Sequence, residues 1–275
     1  DLRPRLFGRR IESVHVLRGS VLECSARKLR AALAGATVRE LRRLGKVLIL
    51  DLDSGVSLLV HLRMTGQLLL GGDGPDPRFV RLVFHLAGGG RVFYADCRAL
   101  GRLELCGTGQ IACSRSLARF GPDALEAAGL DALLRAAQRR RTPMKCLLLD
   151  QTVLAGIGNI YASEILHVAR IAPERPANTL SDAALARLGR AIRQVLAAAI
   201  EARGTTFSDF RTGTGEPGRY AARLRVYGRE GERCRRRGCR GTILRIVQQQ
   251  RSTFWCPMCQ GPHAAMNSPV VNVCP

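Results

Sequence analysis

Four cysteines near the C-terminal end constrain this chain more tightly than any other feature. Four residues separate Cys234 from Cys239, sixteen separate Cys239 from Cys256, and two separate Cys256 from Cys259. Two close pairs across a hairpin-length spacer can bring four thiolates to the corners of one tetrahedral site, the arrangement of a structural zinc centre. Four protein ligands leave no coordination position open, so a metal held there is structural. Its binding free energy, roughly 10–16 kcal/mol in zinc-finger peptides, would hold together a hairpin too small to fold alone. The spacer reads as two strands, residues 242–247 and 251–255, around the polar tip Gln248-Gln-Gln250. That turn would present Arg251, either to solvent or, in so basic a chain, to phosphate. Four cysteines with no shared role are the alternative to the metal site. Cys24, Cys97, Cys106, Cys113, Cys146 and Cys274 are scattered, mostly in apolar surroundings, and read as reduced core thiols.

Charge narrows the partner. The chain has 275 residues, long enough for two domains with real cores, and carries 43 basic against 22 acidic residues, a net charge of +21. An excess of that size points to a polyanion, nucleic acid ahead of an anionic membrane. No apolar run reaches membrane-spanning length, no amphipathic anchor stands out, and no secretory signal precedes the first strand-like segment. Only Lys28, Lys46 and Lys145 are lysines; every other basic residue is arginine. A GC-rich genome explains the bias. Each lysine that survives it draws interest, because arginine cannot serve as a proton donor or acceptor the way lysine can.

The periodicity changes along the chain. Residues 9–17, 46–52, 56–63, 80–86 and 91–96 are short β-rich runs, with turns at Asp53-Ser-Gly55 and Ala87-Gly-Gly-Gly90. One helix, residues 26–33, interrupts them. The prediction is an antiparallel β-sandwich or barrel of five to eight strands. From residue 124 the period is helical, over residues 124–138, 144–149, 159–170 and 181–203. The last has Ser181 as its cap, Leu185, Leu188, Ile192, Val195, Leu196, Ala199 and Ile200 on one face, and Gly204 as its stop. Residues 205–220 hold three glycines and a proline and read as a mobile loop, and residues 261–275 as a floppy tail.

The stretch Leu154-Ala-Gly-Ile-Gly-Asn-Ile-Tyr-Ala-Ser-Glu164 follows the basic knot Arg139-Arg-Arg141 and Pro143. Gly156 and Gly158 precede Asn159, a strong helix N-cap type, and Ile160, Ser163, Glu164 and His167 continue a short helix. A helix N-terminus behind a tight glycine turn binds anions, phosphate first. A packing joint whose glycines permit close approach is the competing reading.

With these parts in order, the chain resembles the formamidopyrimidine-DNA glycosylase family, in its bacterial, purine-type branch. The matching motifs are Arg42-Arg-Leu-Gly-Lys46, His61-Leu-Arg-Met-Thr-Gly66, Asp96-Cys-Arg-Ala-Leu-Gly101, Gly121-Pro122, Thr142-Pro-Met-Lys145 and Asp150-Gln151. The glycine stretch, Gly204-Thr-Thr206, Gly215-Glu-Pro-Gly218, Val226-Tyr-Gly-Arg229 and Arg251-Ser-Thr-Phe-Trp-Cys256 complete the match. The resemblance implies an α+β multidomain protein. Residues 1–110 would form a β-sandwich, 111–220 a helix-two-turn-helix domain, 221–260 a zinc-finger β-hairpin and 261–275 a tail, with DNA in the cleft between. It implies Lys46 as an assistant to proton transfer at the sugar, and Met64, Arg98 and Leu100 as the side chains that fill the gap left by a flipped nucleotide. Leu100 stands where phenylalanine is usual. Arg139 and Asn159 fall on phosphate-contacting positions, and Arg251 on a finger arginine linked to phosphate binding and the second elimination. A DNA-contacting histidine of the family falls at Pro77, which cannot replace it. The first cysteine pair is spaced by four residues where two are usual.

The implied activity is removal of oxidised purines from damaged double-stranded DNA, with abasic-site lyase chemistry, by a zinc-bearing monomer in the bacterial cytoplasm, nucleoid-associated and away from membranes. The family's nucleophile is the amine of an N-terminal proline, with glutamate next to it as proton donor. This chain begins Asp1-Leu-Arg-Pro-Arg5 and matches the family from a point downstream of that start. The expectation is an N-terminally truncated chain without its nucleophile, since Pro4 is internal and its nitrogen is an amide. Two rivals stand beside this reading: a catalytically silent lesion- or abasic-DNA-binding protein, and an endonuclease VIII-type glycosylase for oxidised pyrimidines.

Overall fold

The structure is a computed structural model that describes residues 2–72, 74–207 and 211–261. Of the expected tail, residues 261–275, all but Gly261 lies outside the described residues, Cys274 included. The chain divides into two compact units, one of residues 1–123 and 198–223, the other of residues 124–197 and 224–275.

Among the described residues, eight strands build the first unit: β1 (Ile11–Val16), β2 (Val38–Leu44), β3 (Val47–Leu52), β4 (Val56–His61), β5 (Gly66–Leu70), β6 (Val80–Leu86), β7 (Arg91–Asp96) and β8 (Arg102–Gly107). They form two four-stranded antiparallel sheets, ordered β1-β6-β7-β5 and β2-β3-β4-β8. Val14, Leu82, Phe84 and Tyr94 of one sheet share a core with Val38, Leu50, Leu58, Val60 and Leu103 of the other. Two helices, α1 (Arg3–Leu6) and α2 (Ala26–Leu33), add Leu6, Leu29 and Leu33 to it, and Ser25 Oγ caps α2 by accepting from Lys28 N–H at 3.2 Å. Val47, Ile49 and Leu59 point the other way and pack on Ile111 and Leu117. Strands covered on both faces lose the apolar-polar alternation, which is why β3 and β4 read as continuous apolar runs.

The sandwich is as predicted, and each predicted strand contains an observed one. Three strands, β2, β5 and β8, lie outside the predicted runs. In β2 the reason is a register shift between Val38 and Glu40, so its buried residues Val38 and Leu41 fall three apart and lose the two-residue period.

The second unit holds α3 (Ala127–Arg139), α4 (Met144–Leu149), α5 (Asn159–Ala169), most of α6 (Asp182–Glu201), the hairpin β9 (Leu244–Gln248) and β10 (Arg251–Trp255), and α7 (Pro257–Gln260). The predicted face of α6 is buried from Leu185 to Ala199, but Ile200 is 61% exposed and does not belong to it. Arg203 takes the left-handed conformation (φ 56°) and Gly204 N–H closes the helix on Ala199 O at 2.8 Å. Of the loop at 205–220, the described residues are fastened by Gly218 N–H to Thr206 Oγ1 at 2.8 Å and Leu70 N–H to Gly213 O at 2.8 Å. Among the described residues no helix is long and apolar enough to cross a membrane.

Candidate nucleic-acid interface

In the first unit, Lys46 stands exposed in the β2–β3 turn, one residue before β3. The buried carboxylate of Asp123 shapes that turn. It accepts from Arg43 Nη1 at 2.6 Å, Arg43 Nη2 at 2.9 Å and the Gly45 N–H at 2.8 Å.

Met64 and Leu100 are exposed apolar side chains, 70% and 44% respectively, on the loops after β4 and β7. One buried carboxylate fastens both loops. Asp96 Oδ1 accepts from Thr65 Oγ1 at 2.5 Å, and Asp96 Oδ2 accepts from the Gly101 N–H at 2.7 Å. Thr65 Oγ1 in turn receives the Arg98 N–H at 3.4 Å. Arg81 donates through Nε to the Asp96 carbonyl at 2.9 Å, so the backbone here is braced as well. A Cβ at Gly101 would collide with the Tyr94 hydroxyl, so only glycine lets the loop pass. The structure thus brings Met64 onto a loop adjoining that of Arg98 and Leu100, which lie 34 and 36 residues further along the sequence. Pro77 opens a short turn, Pro77–Phe79, whose Arg78 is paired with Asp76 at 2.6 Å.

His61 sits where β4 runs into the Met64 loop, and its Nδ1 accepts the Arg63 N–H at 3.1 Å. That bond requires a bare Nδ1. Burial, helped by Arg63 and Lys46, pushes the ring down to about 4. The folded chain therefore keeps the neutral ring where the unfolded chain, near 6.5, takes up a proton. Stability from this group is full above about pH 6.5 and drains away as pH falls toward 4, on the order of 2 kcal/mol after allowance for partial exposure. Urea unfolding of wild type and His61→Asn, whose side-chain carbonyl can accept the same N–H, should diverge in pH slope across this interval. Identical slopes would remove His61 from the account.

In the second unit the glycine stretch is a splinted turn. Gln151 Nε2 donates to Leu149 O and Ile157 O, both at 3.0 Å, and Gln151 Oε1 accepts the Gly156 N–H at 3.0 Å. Gly156 has φ +111°, open to glycine and strained for other residues. Gly158 occupies the N-cap and Asn159 opens α5, which corrects the expected cap by one residue. The first intrahelical bond is Ala162 N–H to Gly158 O, so the preceding amides lie at the positive end of the helix. The Asn159 side chain turns to the finger: Nδ2 donates to Ser252 O at 3.0 Å and lies 3.4 Å from the Tyr227 hydroxyl. Its Oδ1 is buried without a hydrogen-bond partner. Arg139 is exposed at the end of α3, followed by Arg140 paired with Asp150 at 3.0 Å.

Gln249 and Gln250, with φ 47° and 59°, make the tight hairpin turn of the left-handed type, and Arg251 begins β10 directly after it, exposed. Lys145, quoted in its motif without a role, is fully buried behind the same strand. Its Nζ donates to Thr253 Oγ1 at 2.5 Å and Ser252 O at 3.1 Å. Burial pulls its pKa down to about 8, with Arg251 contributing in the same direction. Tyr227 and Lys145 are two of the residues that the sequence left without a task; each sat inside a quoted motif, and for Lys145 the rarity of lysine was the one signal available.

The four cysteine sulfurs lie within 4.8 Å of one another. Cys234 and Cys259 are 3.8 Å apart and Cys239 and Cys256 3.7 Å. A tetrahedron with Zn–S bonds of about 2.3 Å has edges of about 3.8 Å, so the donor set fits zinc. A Cβ at Gly241 would come within 2.7 Å of Cys256 Sγ, so the loop leaves that sulfur its room. Cys234, Cys239, Cys256 and Cys259 would hold the metal as a closed structural site. Glu164 of α5 anchors the chain entering the finger: its carboxylate accepts the N–H groups of Arg225, Val226 and Tyr227 at 2.8, 2.9 and 2.9 Å.

A two-sheet sandwich, a helical unit with a glycine-turn helix and a four-thiolate finger in one strongly basic chain define a zinc-finger DNA-binding protein with a helix-two-turn-helix domain. Family models agree: the formamidopyrimidine-DNA glycosylase N-terminal domain matches residues 1–103, its H2TH domain residues 120–211, and the zinc finger found in FPG and IleRS residues 231–261. A formamidopyrimidine-DNA glycosylase of Cereibacter sphaeroides is 42% identical over 269 residues, covering 94% of this chain and 95% of its own. The structure of Lactococcus lactis Fpg in complex with abasic-site DNA matches with TM-score 0.87 at 31% identity, covering 95% of this chain and 96% of that one. A second structure of that enzyme, with an oxidised-pyrimidine DNA, matches with TM-score 0.86 at 31% identity and the same coverage. The chain belongs to the formamidopyrimidine-DNA glycosylase family.

Proposed function

We propose that this protein excises oxidised purines, 8-oxoguanine and formamidopyrimidines, from double-stranded DNA and cleaves the resulting abasic site by successive β- and δ-elimination. The observation that carries the proposal is the pair of exposed apolar tips, Met64 and Leu100, whose loops are fastened to one buried carboxylate through Thr65 and Gly101, with the Arg98 N–H on Thr65 Oγ1. Extruding a nucleotide costs a few kcal/mol, and rigidly held side chains entering the stack offset that cost. Leu100 is a smaller wedge than phenylalanine but apolar and long enough to enter.

In this reading Arg139, Asn159 and Arg251 hold phosphates, while Met64, Arg98 and Leu100 occupy the vacated position. An N-terminal amine, neutral in large part near its pKa of about 8, attacks the anomeric carbon, expels the base and leaves an imine that drives both eliminations. Lys46 assists proton transfer at the sugar, and Arg251 the second elimination. Residues 1–110, 111–220 and 221–260 divide this work as sandwich, helical domain and finger, in a monomer working at the nucleoid in the cytoplasm. A preference for oxidised pyrimidines is the second reading, favoured by the Lactococcus lactis enzyme having been captured on such a DNA.

Binding should weaken with salt at a slope in log affinity near about −5, for roughly six phosphate contacts. Asn159→Ala and Arg251→Ala should weaken lesion and undamaged duplex alike, whereas Arg98→Ala should penalise lesion duplex selectively. A chain given the family's Pro-Glu-Leu-Pro-Glu start should be trapped by borohydride on abasic-site duplex, with the 275-residue polypeptide, whose α-amine is that of Asp1, as control. Three variants indistinguishable on both duplexes would end the division of roles. Release of oxidised pyrimidine in preference to 8-oxoguanine by the proline-started chain would favour the second reading.

A further inference from the structure

The finger is fastened to α5 at a point that the proposed chemistry does not use. His167, two turns beyond Asn159, is fully buried, and its Nε2 lies 3.3 Å from Cys234 Sγ and 3.6 Å from Cys259 Sγ. These cysteines are 67 and 92 residues away in sequence. The imidazole is not part of the mutually close set of four sulfurs, so it stands outside the tetrahedron, along its Cys234–Cys259 edge. Metal-bound thiolates have lone pairs and no proton, so the nitrogen facing them must be the one carrying hydrogen. The other nitrogen, Nδ1, is buried without a hydrogen-bond partner, which this tautomer tolerates, since it leaves a bare acceptor and no orphaned N–H.

We propose that His167 is a positioning residue of the metal centre: its Nε2–H donates to the zinc-bound sulfurs of Cys234 and Cys259, holding α5 against the finger and slowing loss of the metal. The long first cysteine spacing serves the same joint. Arg236, one of the four residues between Cys234 and Cys239, donates through Nη2 to the His167 carbonyl and lies 3.4 Å from that of Val168. A guanidinium on the last carbonyls of α5 also meets the negative end of the helix. Outer-shell hydrogen bonds of this kind are worth about 10- to 100-fold in metal affinity.

The proposal rests on the zinc reading, so the metal content of unaltered protein is measured first; less than one zinc per chain would end that reading independently of His167. Transfer of zinc from purified holoprotein to a chromogenic chelator then compares two variants. His167→Phe keeps the ring volume and removes the donor, and should release zinc about tenfold faster or more. His167→Gln retains an N–H donor and should stay within about threefold of wild type on the same scale. Cadmium-113-substituted wild-type protein should show scalar coupling between the metal and the His167 Nε2 proton, a readout that needs no variant to fold. Absence of that coupling overturns the proposal, as does equal release from the Phe and Gln variants or wild-type release from Phe.

Discussion

Cys256→Ser protein is expected to emerge from purification without zinc, with residues 231–261 unfolded and nearly all DNA affinity gone, while the β-sandwich keeps its structure. The finger's own core explains the size of the effect. Around the metal it consists of Val226, Ile243 and the cysteines themselves, with Phe254 only partly buried. Two aliphatic side chains contribute a few kcal/mol at most, far below the roughly 10–16 kcal/mol that a four-ligand zinc site supplies. Cys256 is also the residue whose backbone N–H is taken by Gln260 Oε1 at 2.8 Å, and Gln260 Nε2 reaches Ile171 O at 2.8 Å beyond α5. Atomic absorption gives the metal content, and limited proteolysis the folding of the finger. A serine variant that loses zinc yet resists protease between residues 231 and 261 would show that the metal does not hold this segment.

Glu164→Ala should be the most damaging single change outside the cysteines, about 3–5 kcal/mol in urea unfolding of the second unit. The carboxylate is 1% exposed and is the acceptor for three consecutive backbone N–H groups at the entrance to the finger. Alanine leaves all three donors without their acceptor, and each orphaned donor costs about 1–3 kcal/mol before water enters. Burial pushes the carboxyl above the ordinary carboxylate range, and the three amides act against that push. Glu164→Gln keeps the shape but turns one acceptor into a donor aimed at an N–H, so it should fall between wild type and alanine. A loss under about 1 kcal/mol for alanine would mean that the 225–227 segment finds other acceptors, and the anchor role would fall.

Glu164 also shows where reading the sequence stops. Its partners lie 61 to 63 residues away, and on a helix it looks like any polar position beside Ser163 and His167. Lys145 bonds residues 107 and 108 positions distant, which no local pattern encodes. Conversely, the cysteine cluster was legible because each pair of ligands is local and the chemistry tolerates few spacings. The helix at Asn159 was legible from its glycines, and only the cap moved, to Gly158. The sandwich came through from strands with alternating or unbroken apolar runs. β2 escaped because its sequence, Val38-Arg-Glu-Leu-Arg-Arg-Leu44, is mostly charged and its bulge spaces the buried residues as a helix would. Met64, Arg98 and Leu100 were singled out by motif, but the carboxylate that joins their loops became visible only when Thr65 and Gly101 met at Asp96.

One helix carries both the proposed phosphate-binding amides and the contacts to the metal centre. Asn159 opens α5, Glu164 lies in its middle, and His167 and Val168 near its end face the cysteine loop. Any coupling between two ligands held by one helix is reciprocal. If stripping the metal weakens phosphate binding by a given factor, bound phosphate must tighten the metal by that same factor. With such coupling, a repair protein of this build is most resistant to chelation, or to thiol oxidation that begins with metal loss, while it is engaged on DNA. Its vulnerable population is the searching one.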